Sequence, residues 1–560
     1  MASPNAGDDE RAQDETSPLQ TVPGWLRRLA REHGERTAVV LGDRRLSYAE
    51  AESRSATLAR GLLARGAGKG TRVALLMPNG PDWVVAWLAA ARIGAISVPF
   101  NTFYQTRELG WVLEHSDAQW LLTVDRFLSH DYLERLEQAA PSLAAQTGAP
   151  LRIREWPYLR EIRVWGDVRR GWASDGPSGL EAAAAADPSI DDAFLRAAED
   201  RVSPADPLIQ IYSSGSTADP KGAIHAHGSV LRHSARLNAF RDMRRDDRLY
   251  SPMPFFWVGG FVFSLLSVLH EGACLLCEEA FEPGRTLDLI ERERATLVAG
   301  WPHYAKAMAE HESFGSRDLS SLRGGNLYDV LPDGVRPRDP ALRATGLGMT
   351  ETCGPHTLER MDHDLPEKLR GSFGRPVPGV EHKVVDPATG QPLPPGSEGE
   401  ICVRGDSLML GLYKVERADT FDADGFYHTG DGGRFDASGH LFFTGRLGDL
   451  IKTGGANVTP REVEVVLEGR DDVKEAYVVG LPDADRGQVV AAAVVPHAGR
   501  SLDPEVLRGF LRGELSAYKV PKHFFVTSHD ELPFTDSGKI DKRRLGEQLA
   551  GLGETGEARG

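Results

Sequence analysis

The stretch YSSGSTADPKGAIHAH, from Tyr212 to His227, decides how the rest of the sequence is interpreted. The apolar run Leu208 to Ile211 before it is typical of a short buried strand, and a helical pattern follows from Gly228 to Arg241. We therefore expect a loop between a strand and a helix. Small residues let backbone N–H groups converge on phosphate oxygens, and Lys221 adds a full positive charge. The hydroxyl groups that would add donors belong to Ser213, Ser214, Ser216 and Thr217.

Taken alone, this loop has a simpler interpretation, because Gly, Ser, Thr and Pro clusters between a strand and a helix are often ordinary turns. It is not a Walker A loop, since the spacing GxxxxGK[ST] is absent. The order of its residues resembles the phosphate loop [YF]TSG[ST]TGxPKG of the acyl-adenylate-forming superfamily, which includes acyl-CoA synthetases, luciferases and adenylation domains of peptide synthetases. Ala218 stands where a glycine is usual, and Gly215 matches the loop. The resemblance implies that this loop binds the phosphates of ATP.

A second motif, TGLGMTETCGP, starts at position 345 and resembles the YGxTE element of the superfamily. The resemblance implies that Thr350 contacts phosphate and that Glu351 helps to hold Mg2+, a hard cation that takes oxygen ligands. Leu347 stands in place of the tyrosine that stacks on adenine in the superfamily. The resemblance also implies that Gly346, Leu347 and Gly348 contact the nucleotide. Without the neighbouring motifs, Thr-Glu after glycines would equally indicate a helix cap.

The nucleotide site has three further matches. The sequence YHTGD, from Tyr427 to Asp431, matches [WY]xTGD, whose aspartate accepts hydrogen bonds from the two ribose hydroxyl groups. Taken alone, it would be an exposed turn aspartate. Gly325, in the sequence GGN, belongs to a segment that resembles the lining of the adenine and acyl pockets. In GRLGDLIK, which resembles the hinge motif, Arg446 would hold ribose or phosphate and Gly448 would be the pivot, because glycine accepts large φ/ψ changes.

The sequence LPFTDSGKID, from Leu532 to Asp541, resembles LPxTxSGKID of the superfamily. It implies that Lys539 is catalytic, although a lone loop lysine is normally a solvated charge. When a carboxylate attacks the α-phosphate, negative charge spreads in the transition state, and a positioned ammonium stabilises it. In the earlier KTGG sequence, Lys452, Gly454 and Gly455 would approach a pantetheine tunnel in a second conformation.

The acid-binding region is expected at PFFWVGG, which occupies the place of the PLFHxxG segment of the superfamily. Trp257 replaces the common histidine; it either shapes the acyl entrance or is a core aromatic. No carboxylate lies between Phe255 and Ser264 to pair with an α-ammonium group, which argues against amino-acid activation. An apolar pocket for a fatty or aromatic acid is favoured. The expected acyl-pocket residues are Phe256, Trp257, Gly259 and Gly260.

Composition sets limits on the class of protein. The chain has 560 residues, of which 26% are charged, and a net charge of −16, so nothing directs it to nucleic acid or anionic lipid. Cys274 and Cys277 form a lone CxxC without ligand-spaced partners, which favours buried thiols over zinc. The stretch from Pro252 to Leu269 has no charge, but prolines and a Gly-Gly pair interrupt it, so we expect a strand end and a core helix. The acidic N-terminus resembles no signal or transit peptide, and we expect a cytoplasmic protein.

The order of the predicted elements indicates an α/β fold. Helical and strand patterns alternate between residues 24 and 140, which favours mainly parallel sheets covered by helices. From Gly371, short runs with Gly/Pro turns, including one at Asp436 to Gly439, suggest a small antiparallel barrel-like subdomain. Residues 141–204 carry no recognisable function. Later strand candidates are Leu249 to Pro252, Ala273 to Cys277, Thr296 to Gly300 and Arg343 to Gly346. The expected organisation is a disordered tail at 1–20, a large AMP-binding domain at 21–445, a hinge at 446–448, a small mobile α+β domain at 449–548 and a disordered tail at 549–560.

The combined interpretation is an ATP-dependent acyl-CoA synthetase that activates a medium- or long-chain fatty acid, with ATP, Mg2+ and CoA. One alternative is an acyl- or aryl-AMP ligase that loads a carrier-protein phosphopantetheine thiol. Another is an inactive nucleotide-binding regulatory relative, against which the intact Lys221, Glu351, Asp431 and Lys539 argue. The identity of the acid and the oligomeric state stay open, a homodimer being one option; neither a nucleic-acid partner nor a transmembrane segment is expected.

Overall fold

A computed structural model describes residues 21–213, 220–343, 345–447, 450–534 and 540–554. Outside these ranges lie the predicted site residues Ser214, Gly215, Ser216, Thr217, Gly448 and Lys539. The predicted α/β class with parallel sheets is confirmed. The α-helices are α1 (Val22–His33), α2 (Tyr48–Ala64), α3 (Pro81–Arg92), α4 (Thr106–Ser116), α5 (Tyr132–Ala139), α6 (Pro177–Ala186), α7 (Asp192–Glu199), α8 (His227–Asn238), α9 (Val258–Gly260), α10 (Ser267–Glu271), α11 (Pro283–Arg292), α12 (Pro302–Ala309), α13 (Arg417–Thr420), α14 (Pro460–Glu468), α15 (Pro504–Glu514) and α16 (Lys542–Glu554).

The strands form several sheets. They are β1 (Thr37–Leu41), β2 (Arg44–Ser47), β3 (Arg72–Leu76), β4 (Ile96–Pro99), β5 (Trp120–Val124), β6 (Arg126–Phe127), β7 (His130–Asp131), β8 (Glu161–Trp165), β9 (Ser174–Asp175), β10 (Pro207–Ser213), β11 (Lys221–Ala226), β12 (Arg248–Tyr250), β13 (Cys274–Cys277), β14 (Leu297–Val298), β15 (Gly324–Gly325), β16 (Leu347–Met349), β17 (Gly354–Leu358), β18 (Arg375–Pro376), β19 (Val380–Val385), β20 (Gly399–Gly405), β21 (Gly411–Leu412), β22 (Tyr427–Phe435), β23 (Leu441–Arg446), β24 (Ile451–Thr453), β25 (Ala456–Val458), β26 (Val473–Asp483), β27 (Gly487–Pro496) and β28 (His523–Val526).

Two mainly parallel sheets support the site. The eight-stranded sheet has the order β21-β11-β10-β4-β3-β5-β8-β9, and the six-stranded sheet has the order β15-β14-β12-β13-β1-β2. Helix α3 is buried along almost its whole length, in one core with side chains of both sheets. Its Trp83 packs edge-on against Phe255 and its Trp87 packs edge-on against Phe261, and both phenylalanines follow β12. This packing attaches the predicted acyl-pocket segment to the central core.

Three boundary expectations are wrong. The segment from Lys221 to Ala226 is a strand, antiparallel to β10, so the predicted phosphate loop joins two strands and not a strand and a helix. Pairing with the edge of β10 satisfies its backbone groups, which outweighs the helical pattern that begins only at α8. Arg343 makes an isolated bridge to Asp364, and the predicted strand starts later, at β16. Helix α16 continues to Glu554, beyond the tail expected from 549.

The later parts of the chain are antiparallel. Strands β19-β20-β22-β23 form a four-stranded sheet, and the predicted turn at Asp436 to Gly439 joins β22 to β23. Residues 141–204 add β8 and β9 to the edge of the eight-stranded sheet, and α6 packs against α2. Strands β24 to β28 form a separate sheet with its own apolar clusters. The uncharged stretch ends in α9, a π-helical turn and α10, and no described helix is long and apolar enough to cross a membrane.

Candidate active site

A cavity of about 190 Å3 lies where strands of the two parallel sheets end. Pro99 ends β4, Ser213 ends β10, Met253 follows β12 and Trp301 follows β14. The carboxyl ends of parallel strands are where α/β folds bind ligands. The cavity brings together eight predicted site residues: Ser213, Phe256, Trp257, Gly259, Gly260, Gly348, Thr350 and Gly455.

The predicted phosphate residues Ser213 and Thr350 line one side of the cavity, and the predicted metal residue Glu351 is bonded to Ser213. Ser213 Oγ donates a hydrogen bond to Glu351 Oε1 at 3.2 Å. Glu351 is 6% exposed and makes no ion pair with any residue that the structure describes. A buried carboxylate is costly unless a cation compensates it. The donor set therefore fits a magnesium ion, which prefers carboxylate oxygens.

Two hydrogen bonds fix the short turn that presents Thr350 and Glu351. His225 Nε2 donates to the Thr350 carbonyl at 2.8 Å, and the Met409 N–H donates to the Glu351 carbonyl at 2.9 Å. Burial lowers the pKa of His225 to about 4, so the ring is neutral at pH 7. The turn is thus set by contacts within its own domain.

Two glycines of the predicted site lie against neighbouring backbone segments, where there is no space for a side chain. A Cβ at Gly348 would lie 2.6 Å from the Gly354 backbone. At Gly325, where φ is +128°, a Cβ would lie 1.9 Å from the Val298 carbonyl. Neither position can hold a side chain without moving the backbone. Gly346 and Leu347 lie behind the cavity wall, and Leu347 is buried in the main core.

Lys221 and Asp431 are not among the residues that line the cavity. Lys221 is the first residue of β11 and is paired with Ser213 across the hairpin. Asp431 is 4% exposed and lies on β22, in register with Arg446 of β23. Glu400 supports the strand next to Asp431, because its Oε1 accepts a hydrogen bond from the Gly430 N–H at 3.0 Å. The side chain of Arg446 is outside what the structure describes.

Aromatic rings build the opposite side of the cavity. The ring centroid of Trp257 lies 5.1 Å from that of Phe256 and 6.2 Å from that of Trp301. The side-chain amide of Asn326 bonds both the N–H and the carbonyl of Gly300, which fixes the segment before Trp301. Trp257 is therefore part of the cavity lining, and its role at the acyl entrance stays a prediction.

The C-terminal part of the chain closes the cavity. Gly455, Ala456, Asn457, Tyr518 and Lys519 are in its lining. A Cβ at Gly455, where φ is +83°, would lie 1.6 Å from Trp301 Nε1, so the backbone here packs directly on the indole. The Gly454 N–H donates to the Arg486 carbonyl at 3.0 Å. Lys452 points away, with Nζ 4.7 Å from the centroid of the Phe443 ring.

Comparison with known proteins agrees with this geometry. The AMP-binding enzyme model matches residues 26–413, and the AMP-binding enzyme C-terminal domain model matches residues 462–539. The chain belongs to the AMP-binding enzyme family. Its curated relatives are acyl-CoA synthetases and ligases, which places the chain among the acid–thiol ligases that use ATP and CoA.

Individual members of the AMP-binding family match over almost the whole chain. A feruloyl-CoA synthase of Amycolatopsis sp is 34% identical over 542 residues, 94% of this chain and 99% of that protein. A mitochondrial medium-chain acyl-CoA ligase of Rattus norvegicus is 31% identical over 549 residues, with coverages of 95% and 88%. The structure of o-succinylbenzoate CoA synthetase from Bacillus subtilis, bound with a product analogue, matches with a TM-score of 0.71, 25% identity and coverages of 93% and 98%.

Sequence reasoning missed several residues of this AMP-binding enzyme that lie at the cavity. Trp301 could have been found, because it follows the strand predicted at Thr296 to Gly300 and so lies at a carboxyl edge. His225 carries no such signal, since its role depends on the antiparallel hairpin. Tyr518 and Lys519 reach the cavity only because the C-terminal unit docks there.

Proposed function

We propose that the protein is an ATP-dependent acyl-CoA synthetase that uses one cavity for two half-reactions. In the first, the acid carboxylate attacks the α-phosphate of ATP to give acyl-AMP and pyrophosphate. In the second, the CoA thiol attacks the acyl carbonyl and AMP leaves. The observation that carries this proposal is that Ser213, Thr350 and the aromatic wall share a cavity with Gly455 of the KTGG sequence.

In the first half-reaction, the protein must stabilise the negative charge of three phosphate groups. Ser213 and Thr350 would donate to phosphate oxygens, and Lys221 would add its charge from the hairpin. Glu351 would hold Mg2+, which supplies charge neutralisation at the phosphates when it is bound. Asp431 would accept the ribose hydroxyl groups. Lys539 would place its ammonium at the charge that develops on the phosphoryl and bridging oxygens.

The second half-reaction needs a route for pantetheine. The KTGG sequence reaches the cavity at Gly455, whose backbone packs on Trp301, so pantetheine would pass along this segment. Lys452, the middle residue of β24 just before the two glycines, would bind CoA. Because the phosphoryl step needs Lys539 at the cavity and the thioester step needs the KTGG sequence there, the small domain would rotate about residues 446–448, with Gly448 as the pivot.

The proposed substrate is a medium-chain fatty acid. The aromatic wall is apolar, and the described lining near Trp257 offers no carboxylate to an α-ammonium group. A medium-chain acyl-CoA ligase is among the relatives, which favours a medium over a long chain. An aryl acid is the second candidate, because Phe256, Trp257 and Trp301 present ring faces and edges and a feruloyl-CoA synthase is a relative.

The test is acid-dependent pyrophosphate release by the purified protein with Mg-ATP, measured with octanoate, decanoate, palmitate, ferulate, benzoate and alanine, each with and without CoA. We expect turnover with decanoate or octanoate that multiplies when CoA is added, with the acyl-CoA as product. Preference for ferulate would select the aryl acid instead. A single-turnover burst that CoA does not relieve would point to a carrier-protein thiol, and silence across the panel would support the inactive relative.

A further inference from the structure

Lys519 is a buried cation at the junction between the large domain and the C-terminal unit. Its side chain is 2% exposed, and its Nζ lies 2.6 Å from Glu108 Oε1 and 2.7 Å from Glu462 Oε1. Both carboxylate side chains are 4% exposed. Glu108 lies in the first turn of α4, in the large domain, whereas Glu462 lies in the first turn of α14.

Both carboxylate oxygens of Glu108 accept hydrogen bonds from identified donors. Glu108 Oε2 accepts the Gln105 N–H at 2.9 Å, as the capping box of α4, and the Ser516 hydroxyl at 2.9 Å. Oε1 accepts from Lys519. One carboxylate of the large domain therefore holds two residues of the C-terminal unit, and its own position is fixed by the helix that carries it.

The three charges are divided unequally between the two domains. Lys519 and Glu462 belong to the same unit, so they stay paired whatever its orientation. The contact with Glu108 exists only while the unit occupies the orientation seen here. Separating the unit from the large domain would leave the buried Glu108 carboxylate without its cation, which is costly.

This orientation is also the one that closes the cavity. Tyr518, next to Lys519 in sequence, has its ring centroid 6.3 Å from that of Trp257, and its hydroxyl accepts a hydrogen bond from Asn101 Nδ2 at 3.3 Å. Gly455 packs on Trp301 in the same arrangement. Holding Lys519 therefore holds the part of the unit that covers the acyl entrance.

We propose that Glu108 is a positioning residue for thioester formation: by binding Lys519 and Ser516 it holds the C-terminal unit with the KTGG sequence at the cavity. This inference rests on the proposed two-step function. Glu108 does not touch the reacting atoms, and it acts on the second half-reaction alone, because rotation of the unit for the first would separate Glu108 from Lys519.

The first test is Glu108→Gln, which keeps the shape and a hydrogen-bonding group but removes the charge. With the acid that the wild type turns over best, acid-dependent ATP–pyrophosphate exchange should change by less than about twofold. Single-turnover transfer of the acyl group from preformed acyl-AMP to CoA should fall about tenfold or more, because the variant loses the charge that favours one of two orientations. The proposal is overturned if both half-reactions fall equally, or if neither half-reaction changes.

The matched control is Asp485→Asn. Asp485 also pairs across the two domains, with Lys306 at 2.9 Å, but both side chains are more than half exposed. An exposed pair contributes little, so both half-reactions should stay within about twofold of the wild type. Ser516→Ala, which removes one bond to Glu108, should lower the thioester step in the same direction as Glu108→Gln and by less. A drop for Asp485→Asn as large as for Glu108→Gln would overturn the assignment to Glu108.

A second measurement needs no substrate. Spin labels on Phe194→Cys and Val526→Cys, one in each domain, report the orientation by pulsed electron–electron distance measurement. All four native cysteines are buried, so the two new thiols take the label. Glu108→Gln in this background should move part of the distance distribution to a second separation. Identical distributions overturn the proposal even if no acid is turned over, which separates its failure from failure of the proposed function.

Discussion

The two walls of the cavity are built in different ways. The wall with Thr350, next to which lies Glu351, is set inside the large domain by His225 and Met409, through hydrogen bonds that no domain movement breaks. The wall with Gly455 and Tyr518 comes from the C-terminal unit and depends on contacts across a domain boundary. A site that runs two reactions in sequence can keep the first kind of wall in both and exchange the second.

This difference predicts which variants affect one half-reaction and which affect both. We call the wall with Thr350 the preset wall and the wall with Gly455 and Tyr518 the docked wall. Changes in the preset wall should slow adenylation, because adenylation needs the phosphate contacts. Changes in the docked wall should act on thioester formation. Pivot variants such as Gly448→Pro should spare adenylation and impair the thioester step, because a fixed φ hinders rotation.

The largest effect is expected from Lys539→Ala. Without its ammonium, adenylation should fall about 100- to 1,000-fold, as when one preorganised charge contact is removed, while CoA attack on supplied acyl-AMP stays largely intact. Pyrophosphate exchange and single-turnover thioester formation measure the two steps. Lys474→Ala is the control, because Lys474 is half-exposed and pairs with the neighbouring Glu475. Equal loss in both steps would contradict the assigned role.

The next effect tests the preset wall. Glu351→Gln should lower adenylation about 100-fold and raise the magnesium concentration needed for half-maximal activity, because a neutral amide is a poorer ligand for a hard cation. A magnesium titration of pyrophosphate release checks this. Glu381→Gln, whose carboxylate is 64% exposed, should behave like the wild type. An unchanged magnesium requirement in Glu351→Gln would exclude Glu351 as the metal ligand.

A smaller effect is expected in the docked wall. Gly455→Ala would place a methyl group against the Trp301 indole, so the thioester step should slow about tenfold while adenylation persists. Gly499→Ala is a close control, since Gly499 has a similar φ of +77° but open space around it. Comparing the two separates the contact with Trp301 from backbone strain. Equal effects of the two substitutions would mean that the contact is not important.

These effects also indicate what could be predicted from the sequence. The glycines at positions 325 and 348 and the Thr-Glu turn were accessible through their resemblance to family motifs, and the helical stretch after Pro252 through its uncharged sequence. The antiparallel pairing of β11 was not, since a six-residue run with a helical pattern behind it gives no sign of its partner strand. The pairing of Lys519 with Glu108 joins residues 411 positions apart, and only docking of the C-terminal unit creates it.

The smallest expected effect is on stability. Burial lowers the pKa of four histidines of the large domain to about 4, namely His225, His227, His233 and His382. Their unfolded pKa is higher, so the unfolded state binds protons first as pH falls below about 6.5, and the free energy of unfolding decreases from there toward pH 4. Between pH 7 and pH 6, each of these histidines should lower the free energy of unfolding by about 0.7 kcal/mol.

Urea unfolding of the large domain, followed by hydrogen exchange at pH 7 and pH 6, measures this. The histidines of the C-terminal unit, His497, His523 and His529, are exposed, so that unit should change less. A large domain that is equally stable at both values would contradict the neutral state of these buried rings.

The most direct test of the two-wall account is a rapid-quench single turnover that counts pyrophosphate and acyl-CoA in the same sample, for the wild type, Glu351→Gln and Gly455→Ala. The account predicts that Glu351→Gln loses the pyrophosphate burst and with it the thioester, whereas Gly455→Ala keeps the burst and forms acyl-CoA slowly. Equal loss of both products in both variants would contradict the account.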